Sequence, residues 1–194
     1  MKNHLFTLFL LGSSLLSAAE ISQNNTTAFE KYLSMDGISY HVQATNQGSL
    51  NTLTVTPQGL SINNQPESTE IDGSVTDAKI ADINHDGAPE VYIFITSAGS
   101  GSYGSLVAYS SNQNRSMSMI YLPELDPKAK EAQGYMGHDE FLVTKDNLIR
   151  RFPVYLDKDP NCCPTGGTRE LIYTLVPGEA TWQLKLIESK TIRE

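Results

Sequence analysis

Positive charge is scarce. Fourteen Lys and Arg residues face 22 Asp and Glu, a net charge of −8. That balance excludes nucleic acid and anionic membrane as partners and leaves a basic protein or a cation. Histidine is equally thin: beyond His4, only His41, His85 and His138 occur, scattered between strand-like segments, which excludes a histidine-built zinc site. There are two cysteines, the neighbours Cys162 and Cys163. With no second pair they cannot form a zinc ribbon. A disulfide between neighbours, two free thiols and an intermolecular bridge all stay open. After Leu16 no hydrophobic run approaches membrane-spanning length. Helix signals are weak, with short candidates only near Ala28–Met35 and Asp126–Tyr135.

The N-terminus carries Lys2, an apolar run from Leu5 to about Leu16 and a small-x-small pair at Ser17 and Ala19. This is the pattern of a secretory signal peptide over residues 1–19, with Glu20 opening the mature chain. Loss of Lys2 takes the net charge to −9. The expected destination is a bacterial periplasm. Residues 20–31 are polar and read as a loose arm. Residues 32–194 hold no repeat or linker and read as one domain, long enough to bury a proper core.

Strand patterns dominate that domain. They occur at residues 37–45, 50–57, 89–96, 105–111 and 117–122. Two hairpins follow, one turning at Lys145–Asn147 and one at "PGEA". Short strands separated by turn residues predict an all-β fold, an antiparallel β-sandwich with protruding loops and short helical segments at most.

Three constellations carry possible chemistry. The first is Gly99-Ser100-Gly101-Ser102-Tyr103-Gly104, formally a G-x-G-x-x-G. A dinucleotide fingerprint must follow a strand and open a helix. Here "VYIFIT" precedes it, but "SLVAYSS" after it is a strand, and no lysine-bearing strand of the kinase type follows. What remains is a hairpin loop in which glycines permit a narrow bend, serines offer hydroxyls and Tyr103 offers a large contact surface. A loop whose tyrosine folds back on the sheet has the same composition. The second constellation, "DINHDGAPE", sets Asp82, Asn84, Asp86 and Glu90 at positions 1, 3, 5 and 9 of a calcium-type loop, with Gly87 at 6. Ile93 at position 12 is no ligand. A plain Asp-Gly turn between two strands is the preferred reading. The third, His138-Asp139-Glu140, lacks a nucleophile elbow, so no enzyme is expected and His138 reads as structural or surface-lying.

"DINHDGAPE", "SAGSGSYGSLVAYS", "GYMGHDEF", "RRFPVY" and "PTGGTR" together resemble the periplasmic inhibitors of invertebrate-type (i-type) lysozyme, from about Ile71 to Leu186. The resemblance implies an exported, non-enzymatic β-sandwich that forms a homodimer, needs no cofactor, and partners i-type lysozyme. Two loops would enter the enzyme's cleft: Ser100, Gly101, Ser102 and Tyr103 in the first, and Thr165, Gly167 and Arg169 in the second. Tyr155 lies ten residues before Thr165, a wider spacing than in the c-type lysozyme inhibitors.

Overall fold

The computed structural model describes residues 29–193. The expected signal peptide and residues 20–28 of the expected arm lie outside the described residues. The chain forms β1 (Phe29–Met35), β2 (Ile38–Ala44), β3 (Leu50–Gln58), β4 (Glu67–Asp72), β5 (Ser74–Ala81) and β6 (Glu90–Thr96). After these come β7 (Gly104–Ser110), β8 (Ser118–Met119), a 3-10 turn (Lys130–Ala132), β9 (Glu140–Val143), β10 (Leu148–Pro153), β11 (Thr168–Pro177) and β12 (Trp182–Ile192). All strand pairing within the sheets is antiparallel.

The expected sandwich has three sheets, ordered β1-β2-β3-β4, β5-β6-β7-β8 and β12-β11-β10-β9. The β5–β8 sheet is the middle layer, and β6 shows why. Successive side chains of a strand point to opposite faces. Val91, Ile93 and Ile95 enter one core with Tyr40, Val42, Leu53 and Val55. Tyr92 and Phe94 enter the other with Leu148, Phe152, Leu171 and Leu184. Both faces are buried, so β6 is apolar from Val91 to Ile95 rather than alternating. Each of these large side chains contributes about 1.5–3 kcal/mol on burial.

The helix expected near Ala28–Met35 is instead β1. Glu30, Tyr32 and Ser34 are exposed while Phe29, Lys31, Leu33 and Met35 are half-buried, a period of two. This strand pairs with β2 from Phe29 onward, so residues 29–31 belong to the first sheet and not to an arm. The second expected helix shrinks to the turn at Lys130–Ala132, where Ala132 N–H bonds to the Ala129 carbonyl and Gly134 turns at φ +75°. The strand expected at 117–122 pairs with β7 only over Ser118–Met119. Its continuation, Tyr121, makes a parallel bridge to Gln183 of β12. That bridge stitches the middle sheet to the third. Cys162 and Cys163 are joined in a disulfide.

Candidate functional site

Beyond Thr96 the apolar strand β6 gives way to small residues, and the chain bends through residues 97–103 into β7. Ser97 closes the base of this loop twice. Its N–H donates to the Tyr103 carbonyl at 2.9 Å, and its Oγ accepts from Tyr103 N–H at 3.0 Å. Inside, Ser102 N–H donates to the Gly99 carbonyl at 3.0 Å. Gly101 leaves room for the Tyr103 ring: a Cβ there would meet the ring at 2.5 Å. Ser100 is exposed, Gly101 and Ser102 are half-buried, and Tyr103 is 49% exposed. One side of the tyrosine is therefore packed and the other faces solvent.

The backing of the loop comes from Gly134–Asp139. His138 N–H donates to the Gly101 carbonyl at 2.8 Å. Gly137, at φ +92°, lies so close to that carbonyl that any Cβ would collide with it. Tyr135 meets the Tyr103 ring edge-on at 5.7 Å. Asp139, its side chain fully buried, fixes the start of β7 by accepting Gly104 N–H at 2.8 Å. The same carboxylate accepts from Tyr135 Oη at 2.7 Å and from Arg150 Nε at 2.6 Å, and Arg150 also donates to Tyr135 Oη at 2.7 Å. The Arg150 guanidinium lies against the rings of Tyr135, Phe141 and Phe152. Desolvation and then the bond to Asp139 push the Tyr135 hydroxyl up, outweighing Arg150. The result is a buried, fully bonded polar cluster that holds the loop in one shape.

The second loop is built differently. Asp159 organises it, accepting Leu156 N–H, Thr165 N–H and the Thr165 hydroxyl, each at 2.7 Å. These bonds, led by Leu156 N–H, hold the Asp159 carboxyl below its usual range. Gly166 N–H donates to the Val154 carbonyl, and Val154 N–H to that of Gly167. Thr165 is exposed, Gly167 half-buried. Arg169 donates from Nη1 to the Lys130 carbonyl at 3.2 Å, while its buried Nε has no hydrogen-bond partner. An open groove beside this loop is lined by Tyr155, Lys158, Asp159, Thr165, Arg169 and Arg193. Tyr155 itself is buried and donates to the Asn161 carbonyl at 3.0 Å.

Gly134–Asp139 joins the two loops, because Tyr155 N–H donates to the Gly134 carbonyl while His138 holds Gly101. The sequence-predicted residues are thus brought to one end of the middle and third sheets. Asp82, Asn84, Asp86 and Glu90 lie at the opposite end of β6. His138 is exposed, and both oxygens of Asp139 are taken by the cluster.

The family model of the periplasmic lysozyme inhibitor of I-type lysozyme matches residues 65–135. No curated protein and no solved structure matches the chain. The matched stretch carries β4 to β8, the Gly/Ser loop and Tyr135. It supports an inhibitor of I-type lysozyme and a periplasmic location. The second loop, Asp139 and Arg150 lie beyond it.

Sequence reasoning passed over Tyr135, Asp139 and Arg150 as parts of the site. One signal was present. Arg150 alternates in phase with Leu148 and Phe152, on the face of β10 that is buried. An arginine there requires an acidic partner, since an unpaired buried charge is costly.

Proposed function

We propose that the protein inhibits I-type lysozyme by occlusion, with the Ser100–Tyr103 loop entering the active-site cleft and the Thr165–Arg169 loop seating beside it. The observation that carries this reading is the half-exposed Tyr103 on a loop pinned by Ser97, His138 and Asp139, inside the stretch similar to the inhibitor family. A glycosidase cleft presents two carboxyl groups, one protonated and one ionised. A serine hydroxyl donates or accepts and so suits either state. Tyr103 offers a flat surface to a sugar subsite, and its loop is ordered before binding, which lowers the entropy lost on association. Arg169 lines a groove that also carries Arg193 and Lys158, a positive setting that suits a carboxylate at the cleft rim. Gly101, Ser102, Thr165 and Gly167 shape the loops rather than supply charge.

Residues 20–194 of the wild type and of Tyr103→Ala, Ser100→Ala and Arg169→Ala are titrated against I-type lysozyme on cell-wall substrate. Losing one buried anchor costs about 2–4 kcal/mol, or roughly 30- to 1,000-fold in the inhibition constant. Tyr103→Ala is expected in that range and Arg169→Ala at its lower end. Wild-type potency in Tyr103→Ala would remove the loop from the mechanism. Homodimer formation belongs to the same reading. Sedimentation at micromolar concentration tests it, and a sole monomer species removes it.

A further inference from the structure

The turn between β5 and β6 carries a second constellation, which the inhibitory reading does not use. Asp82, Asp86 and Glu90 each bring a carboxylate oxygen within 4.8 Å of the others. Asn84 lies among them, bonded through Nδ2 to Asp86 Oδ2 at 3.1 Å. Clusters of acidic side chains are common on surfaces and alone mean little. Glu90 is the exception. It is fully buried at the first position of β6, its Oε2 accepting Ile83 N–H at 3.2 Å and Tyr92 Oη–H at 3.4 Å. Its Oε1 is buried with no hydrogen-bond partner. A buried carboxylate oxygen left bare is costly. His85 does not neutralise the group, because its imidazole turns to Asp146 at 2.7 Å.

We infer that this turn binds a calcium ion through Asp82, Asn84, Asp86 and Glu90, with Glu90 Oε1 as the buried ligand. Calcium takes six to eight oxygens from carboxylates, amide carbonyls, backbone carbonyls and water, in flexible geometry. Magnesium keeps most of its water and tolerates fewer carboxylates. The spacing is that of the first nine positions of a calcium loop, with Gly87 turning at φ +79° at the sixth. Residue 88 falls at the seventh position, whose ligand is a backbone carbonyl. The twelfth position is Ile93, which lies in the first core, so the site ends at Glu90. The bound ion would fasten the β5–β6 turn. The Gly/Ser loop lies at the other end of β6, about 20 Å away at the rise of a strand. The inference is therefore independent of lysozyme binding.

The test uses residues 20–194 stripped with EDTA and then melted with no metal, with magnesium or with calcium. Dissociation constants of extracellular calcium modules are about 0.1–1 mM. At a hundredfold excess over such a constant the melting temperature should rise by roughly 5–10 °C. Magnesium should give much less. Terbium, a luminescent calcium substitute excited through tyrosine, should light up at the same site and be displaced by calcium. Asp86→Asn, at an exposed position, should weaken the calcium midpoint at least tenfold while folding normally. Glu90→Gln should abolish the response. A wild type that neither shifts its melting temperature at calcium concentrations up to about 100 mM, a hundredfold excess over the weakest such constant, nor sensitises terbium overturns the proposal. An Asp86→Asn protein that responds like the wild type overturns it as well.

Discussion

Tyr103 and Asp139 sit a few ångströms apart in the same assembly, yet they do different work. Tyr103 presents surface, while Asp139 holds the backbone that presents it. Their substitutions should therefore separate. Tyr103→Ala removes a half-exposed ring and should leave stability within about 1 kcal/mol of the wild type. Asp139→Asn leaves the Arg150 guanidinium buried without its counter-charge. Breaking such a pair costs about 3–5 kcal/mol. Urea unfolding should show that loss for Asp139→Asn and not for Tyr103→Ala. Inhibition should fall in both. If Asp139→Asn unfolds like the wild type, Arg150 has found another partner and the cluster is not what fixes the loop.

Among the elements, β1 and β6 teach opposite lessons. β6 was legible because an apolar run of strand length bounded by turn residues admits few alternatives, and burial on both faces explains its composition. β1 was misread because Phe29 and Leu33 stand four apart, as on a helix face, and only the pairing with β2 reveals the period of two. β4 gave no apolar signal, since Ile71 is its one buried residue. The same divide runs through the candidate site. The two loops stood out by composition, whereas their supports, Asp139 and Arg150, are ordinary residues whose meaning comes from a fold that joins β9 and β10 to the start of β7.

One contact between elements has a pH signature. Lys31 of β1 lies 2.5 Å and Lys79 of β5 2.9 Å from Asp77 on β5. Desolvation raises the Asp77 carboxyl, but the two lysines and Ala78 N–H outweigh it and bring it from 3.8 down to about 2. A carboxyl lowered on folding stabilises the protein above the unfolded value and loses that contribution as the pH falls toward the folded one. Asp77 is partly exposed, so the contribution is under about 1 kcal/mol. Between pH 5 and pH 2.5 the wild type should therefore lose up to about 2 °C of melting temperature that Asp77→Asn does not lose. Parallel declines in the two proteins would mean that the ion pairs contribute nothing to stability.

As a whole the molecule is an acidic three-sheet stack with the Gly/Ser and Thr165–Arg169 loops at one end and the Asp82–Glu90 turn at the other. Acidity aids approach to a basic enzyme at low salt but does not choose the enzyme. In the proposed function, selectivity comes from the loops. The central claim is met most directly by titrating the folded protein, residues 20–194, against I-type, c-type and g-type lysozymes on the same cell-wall substrate. The account predicts loss of I-type activity with the other two enzymes spared. Folded protein that leaves I-type lysozyme fully active at a large molar excess would contradict it.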